Sequence, residues 1–317
     1  MLIWLGSSAV KSPEACIRTK LNKISLKDKK LFERSLNLIN HELSVYTFEN
    51  IYIWKNLFDI SWAVIGGSLC LFFQDKIGCF LYLPPLGASV NQQLLREAFR
   101  IMDNSNKTSA LSRIENIEEG DVLFYQNLGY DCRLKSSEYL CLRSALAALR
   151  GDRFKAKRAC VNYFIKHYGF AYRGFLPQDS GDCLRLYKSW MQSRGLLSSD
   201  SIYKGMLLDT LSCLEILLRN FKDLKAVGRV VRVNNQLKGF TFGFELNKNT
   251  FCILFEITDL SCKGLSQYIF QRFCAELENY RYINIMDDSG LDNLKAVKLS
   301  YHPARLIPGY ISTRKDE

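Results

Sequence analysis

Lysine is seldom placed in the middle of an apolar helical stripe, yet Lys298 falls there. On a helix over residues 290–301 it lies at i+7 from Leu291 and i+4 from Leu294, with Tyr301 close by and His302 a further turn on. Pro303 biases His302 away from helical geometry, so the helix should end there with the imidazole at its C-terminus, where a cation is favoured. An ammonium at a cleft wall can face a phosphate, a ribose or a carboxylate, which makes Lys298 and His302 the candidate catalytic pair. The competing account is a lysine that snorkels from a core helix and a histidine that caps its last carbonyls.

A second constellation lies upstream. Phe240, Phe242, Phe244 and Leu246 alternate with Thr241, Gly243 and Glu245, and after Asn247-Lys248-Asn249 the alternation resumes at Phe251, Ile253, Phe255 and Ile257. Period two on both sides of a short polar turn predicts a hairpin. Its second strand ends at Glu256 and Asp259, and a turn with one glycine, Gly264, leads into a helix carrying Leu265, Tyr268, Ile269, Phe273 and Leu277. A strand feeding a helix N-terminus can bind a carbonyl or an anion, because first-turn N–H groups are free and the dipole is positive there. A coenzyme A pyrophosphate would want more glycine than the turn 262–266 offers, so that cofactor is disfavoured and none is expected. No cysteine or serine has a visible base partner, which leaves a covalent mechanism the weaker idea.

A third feature is charge. Arg150, Arg153, Lys155, Lys157, Arg158, Lys166 and Arg173 meet only Asp152, so this short segment carries +6 of the chain's +11. On a helix, Lys155, Arg158, Asn162 and Lys166 share one face that could lie along a phosphate backbone, or could merely be solvated. Lys157 falls instead among Phe154, Val161, Phe164, Ile165 and Tyr168, and should reach an edge or an acid in a cleft between domains.

The elements that must position these residues read as α+β. A chain of 317 residues, 48% apolar and 24% charged, can bury a large core and fits two domains better than one. Its basic excess favours an anionic partner such as nucleic acid, phospholipid headgroups or a phosphorylated cofactor. Eleven scattered cysteines without a CxxC pair suit a reducing cytoplasm, and three distant histidines, His41, His167 and His302, lack ligand spacing, so no metal is expected. The longest apolar run, 62–73, is too short to span a membrane, and the apolar opening 1–5 is too short for a signal segment.

In order, helices are predicted over 26–40 and 48–58, three antiparallel strands over 62–83, a helix over 92–102, a helix over 122–128 and strands near 130–132 and 139–140. The second half repeats this grammar: helices over 153–168, 183–191 and 206–218, a strand over 227–233, the hairpin, its helix, a strand over 282–285, a helix and a last strand over 306–311. That order is the one of an N-acetyltransferase (GNAT)-like fold, and it predicts a tandem of two such domains, 1–149 and 150–317.

The runs 48–54, 84–87, 151–164 and 240–259, and above all Lys298-Leu299-Ser300-Tyr301-His302-Pro303, resemble the soluble domain of phosphatidylglycerol lysyltransferases and their stand-alone relatives. The resemblance covers 43–311. It implies a tandem acetyltransferase-like fold and, as in the membrane-anchored relatives, transfer of an aminoacyl group from aminoacyl-tRNA to a phospholipid hydroxyl. This sequence has no counterpart of their membrane-spanning half. It departs from the pattern at Ile285 and Met286, where relatives tend to carry charge, and at Ala159 and Phe270, where they tend to carry Asn.

Direct attack of a hydroxyl or amine on an aminoacyl ester needs held reactants, an oxyanion donor and a proton acceptor. Backbone N–H groups near Gly264 would meet the oxyanion, Glu256 and Asp288 the donor's ammonium, and Lys298 a phosphate or the leaving ribose. Asp259, Gln267, Asn284 and Tyr301 complete the expected substrate-binding set. Three readings stay open: an aminoacyl-tRNA-dependent transferase in the cytoplasm, an acyl-CoA N-acyltransferase, and a non-catalytic module that binds tRNA or an anionic phospholipid surface.

Overall fold

The computed structural model describes residues 19–196 and 199–315; the apolar opening over residues 1–5 lies outside them. The first half comprises β1 (Asn22–Lys23), α1 (Lys29–Leu36), α2 (Phe48–Tyr52), β2 (Asp59–Ile65), β3 (Ser68–Gln74), β4 (Cys79–Leu81), α3 (Gln92–Ser105), β5 (Arg113–Glu118), α4 (Val122–Asn127), β6 (Tyr130–Leu142) and α5 (Arg143–Ala148). The second comprises α6 (Lys155–His167), β7 (Phe170–Gly174), α7 (Ser180–Leu196), α8 (Ser201–Arg219), β8 (Val227–Val233), β9 (Gln236–Asn247), β10 (Thr250–Thr258), α9 (Leu265–Glu276), β11 (Tyr282–Asn284), α10 (Asp292–Leu299) and β12 (Arg305–Arg314). No helix among the described residues is long and apolar enough to cross a membrane.

The strands of both halves join one mixed sheet in the order β1-β2-β3-β4-β5-β12-β6-β11-β10-β9-β8-β7. Most neighbours are antiparallel, with parallel pairs at β4/β5 and β10/β11. The last strand of the chain, β12, is inserted between β5 and β6 and runs antiparallel to both. This corrects one expectation. The strands predicted near 130–132 and 139–140 are a single strand, because β12 pairs along it from Leu140 to Tyr130 and gives the polar stretch between them a backbone partner. The helix predicted over 48–58 is likewise only Phe48–Tyr52. Thr47 caps its start, accepting from the Asn50 amide at 3.3 Å, and all five helical residues are buried, so packing rather than amphipathic periodicity sets its length.

The predicted hairpin is β9 and β10. Phe240 and Phe242 join a core cluster with Tyr187 of α7 and Leu214 of α8. Burying each such ring contributes about 2–3 kcal/mol. On the second half's other side a separate cluster gathers Tyr139 and Cys141 of β6, Ile283 of β11, Phe270 and Phe273 of α9, Ile285 and Tyr301.

Candidate functional site: the parting of β10 and β11

β10 and β11 pair only where Thr250, Phe251 and Cys252 face Tyr282, Ile283 and Asn284. Beyond that point β10 stays with β9 as far as Thr258. The chain after β11 instead stays with β6, through Ile285 N–H to Tyr139 O at 3.0 Å and Tyr139 N–H to Met286 O at 3.2 Å. The sheet therefore parts between them, and the polar groups of interest stand on either side.

On the β10 side stands Glu256. Its Oε1 accepts from Ser266 Oγ at 3.2 Å, near the start of α9, while its Oε2 is buried without a partner. Burial pushes this carboxyl up to about 8, against opposing pulls from Ser266 and Lys157. Lys157 reaches in from α6, its ammonium 4.1 Å from the centre of the Tyr301 ring, while Lys155 two residues earlier is exposed. Burial pulls the Lys157 ammonium down, with Cys160 and Glu256 opposing. Desolvation thus favours the uncharged form of both partners, and their attraction only partly restores the charges. Tyr301 is buried against Phe270 at 4.4 Å between ring centres, and burial holds its hydroxyl well above the usual phenol range.

On the β11 side stands Lys298. Its ammonium donates to the carbonyl of Ile285 and lies 5.9 Å from the centre of the Tyr139 ring. The residue as a whole is only half-buried, but the ammonium end is enclosed, and burial pulls it down to about 8 despite Asp287, Glu138 and Asp288. The Tyr139 hydroxyl donates to Asp288 and is pushed up to about 12, first by burial and then by that carboxylate. Asp288 also accepts from Gly290 N–H at 3.0 Å, in a loop where Met286 and Ser289 hold φ of +60° and +53°. Such left-handed non-glycine residues are strained and persist only where their surroundings hold them. Cys141 links the two sides: its thiol is pushed up to about 12 by burial, and it lies within electrostatic reach of both Lys298 and Tyr301.

Other expected site residues are placed elsewhere. His302 does not enter the cleft. It takes φ +52° just after α10, which turns its side chain outward, and it is exposed, with Nε2 3.3 Å from the Arg153 carbonyl and its ring edge-on to Phe154. Asn284 is fully buried and saturated: Nδ2 donates to Glu138 Oε2 at 2.6 Å and to Glu42 O at 3.3 Å, and Oδ1 accepts from Met286 N–H at 2.7 Å. It holds a carboxylate, not a substrate. Asp259 is committed to Lys238 at 2.8 Å and to the Ser261 hydroxyl and amide, closing the open end of the hairpin.

Gly264 starts α9 with φ +86°, and a Cβ there would lie 2.1 Å from the Cys160 carbonyl. The backbone of α6 therefore sits directly on the turn, in space that a cofactor pyrophosphate approaching Gly264 from that side would need. Gln267 is half-buried on α9, one residue past Ser266. Lys155, Asn162 and Lys166 are exposed along α6, but Arg158 is not part of that track, since its guanidinium donates to the carbonyls of Leu149 and Gly151. Ser266 and Tyr139 belong to the site and carry no sequence signal that marks them: Tyr139 matters through Asp288, far along the chain, and Ser266 through the turn that folds α9 back on Glu256.

The family model for phosphatidylglycerol lysyltransferase, C-terminal, matches residues 36–313. No curated protein sequence matches the chain. Among solved structures, a conserved protein of unknown function from Bacteroides thetaiotaomicron VPI-5482 is 25% identical, with a TM-score of 0.84 over 94% of this chain and 100% of that one. L-PGS from Bacillus licheniformis is 14% identical, with a TM-score of 0.63 over 92% of this chain and 93% of that one. A tandem GNAT protein from the clavulanic acid biosynthesis pathway is 9% identical, with a TM-score of 0.52 over 95% and 99%. The fold is α+β and of the tandem GNAT-like kind.

Proposed function

We propose, for a chain that belongs to the phosphatidylglycerol lysyltransferase C-terminal family, that it transfers an aminoacyl group from aminoacyl-tRNA to a hydroxyl or amine acceptor, a phospholipid headgroup among them. The cleft is assigned to the second unit, 150–317, with Tyr139 and Cys141 reaching it from the end of the first. The observation that carries this reading is the Glu256 carboxyl, buried at the parting of the strands with one oxygen unpartnered and a proton affinity near neutrality. A structural carboxylate would have its acceptors filled, as Glu138 and Asp259 do.

In the reaction, the acceptor's oxygen or nitrogen bonds to the ester carbonyl carbon, the bond from that carbon to the terminal ribose oxygen breaks, and one proton passes from acceptor to ribose. Glu256, held at about 8, takes the acceptor's proton in its ionised fraction, and in that same form can face the donor's ammonium. Lys298, also brought to about 8, gives a proton to the leaving ribose oxygen. Both groups lie close to working pH, where such exchanges are most effective. First-turn N–H groups of α9 supply dipoles for the oxyanion. The α6 backbone seated on Gly264 speaks against acyl-CoA as donor.

The test is transfer from radiolabelled aminoacyl-tRNA to phosphatidylglycerol vesicles and to soluble amines. Glu256→Gln and Lys298→Met should each lower the rate by ~100-fold or more, the scale of lost proton transfer. Lys298→Met, similar in length and uncharged, should keep or raise Tm. Variants that transfer as fast as wild type would remove these roles, and tRNA binding without any transfer by the wild type would leave a binding module.

A further inference from the structure

A groove of about 380 Å³ opens beside this site, lined by Ser144, Ala145, Ala148, Arg150, Arg153 and Phe154. Its floor is the small-residue face of α5, and its walls carry two exposed guanidiniums. No carboxylate among the described residues pairs with either arginine; the nearest acid along the chain, Asp152, is exposed in the same turn. Arginines free of carboxylates beside a concave surface, Arg153 resting over the Phe154 ring at 5.1 Å, are well suited to oxyanions, which the planar fork can grip with two hydrogen bonds.

The loop that presents them is built rigidly. Leu149 is buried in the left-handed region at φ +47°, and Gly151 has φ +83°. Arg158 donates to the carbonyls of both, at 2.6 Å in the case of Gly151, so this arginine clamps the turn that displays Arg150. The His302 imidazole meets the Arg153 carbonyl at 3.3 Å and Phe154 edge-on, fixing the next turn in the same way. Strain held in place by two charged or polar clamps is a pattern of functional loops. The groove also adjoins the cleft. Arg153 precedes Lys157 by one helical turn, and α5 is tied to α9 through Gln271 Nε2 to Ala147 O at 2.5 Å.

We propose that this groove is a subsite for the phosphodiester backbone of a single-stranded RNA end, with Arg150 and Arg153 each gripping a phosphate. The inference rests on the aminoacyl-tRNA reading in taking the RNA to be the donor's. Extent favours RNA over a lipid headgroup. Directly after the groove's Arg153 and Phe154 the chain enters α6, which exposes Lys155, Asn162 and Lys166 along roughly 16 Å of helix at 1.5 Å per residue. A single headgroup phosphate has no use for such a track, whereas a polynucleotide follows it.

The experiment measures binding of deacylated tRNA, which cannot take part in transfer, by fluorescence anisotropy across 50–300 mM salt. Relative to wild type, Arg150→Gln/Arg153→Gln should bind at least tenfold more weakly. Its log Kd against log salt should flatten by roughly 1.4–1.8, the expectation for two lost phosphate contacts at 0.7–0.9 each. Lys30→Gln/Lys76→Gln, which removes two exposed charges elsewhere, should leave that slope within about 0.5 of wild type. An arginine variant with wild-type affinity and slope overturns the proposal. So does a wild type that ignores tRNA but uses these arginines to bind phosphatidylglycerol vesicles. If arginine-dependent binding holds while no transfer is found, the groove stands and the transferase reading falls.

Discussion

Replacing Glu256 by glutamine should make the protein more stable, by an amount that depends on pH in a defined way. Burial raises this carboxyl from 4.5 to about 8. Between those values the folded chain holds a proton that the unfolded chain has released, so wild-type stability is fully present below about pH 4.5 and is lost as pH rises through 8. At about 1.4 kcal/mol per unit the loss approaches 5 kcal/mol by pH 8, with the opposing attraction of Lys157 already contained in that shift. Glutamine keeps the shape and the acceptor for Ser266 but carries no charge at any pH.

The stability of the variant over wild type should therefore grow by as much as ~1.4 kcal/mol per pH unit from 4.5 to 8 and then level off. Unfolding a chain of this length carries an entropy near 0.7 kcal/mol/K at about 2.1 cal/mol/K per residue, so the full effect is up to ~7 °C in Tm. Lys157 titrates in the opposite sense: its ammonium is depressed below 10.5, which places its contribution at higher pH. Scanning calorimetry of both proteins from pH 5 to 9 decides the matter. Parallel Tm curves would mean that Glu256 ionises as an exposed carboxyl does, and the account of a buried proton at the parting strands would fail.

Two further outcomes follow from close packing and from a saturated carboxylate. Gly264→Ala places a Cβ 2.1 Å from the Cys160 carbonyl and forces φ +86° on a non-glycine residue; it should cost on the order of 3 kcal/mol in urea unfolding, and a loss below ~0.5 kcal/mol, the ordinary surface scatter, would show that α6 does not press on the turn. Asn284→Asp sets a second carboxyl where the amide donates to Glu138 at 2.6 Å. Burial already raises Glu138, so the loss should be on the order of 2–3 kcal/mol at pH 7.5 and shrink toward pH 4.5 as the pair regains a proton. An equal loss at both pH values in urea titrations would refute that picture.

Local periodicity determined much of this protein, because it reports which face of a short segment is apolar and needs no distant partner to do so. The alternation at Phe240, Phe242 and Phe244 is enough to set β9, and the resumption at Phe251 sets β10. The helical angle of Lys157 among Phe154, Val161 and Phe164 separates it from Lys155, and in the structure it turns to Tyr301. Other features exist only once remote segments meet. β12 crosses the sheet to lie between β5 and β6, which turns two short predicted strands into one. Asn284 looked available for substrate until its partner 146 residues away, Glu138, occupied it, and Glu138 is itself held by Ser44 across 94 residues. His302 carries chemistry that suits a ligand, yet the Arg153 carbonyl, 149 residues away, claims it. The orphaned oxygen of Glu256 is the counterpart of these cases. A carboxylate becomes chemically distinctive when its neighbours withhold water and hydrogen bonds, and only tertiary packing decides which carboxylate that is.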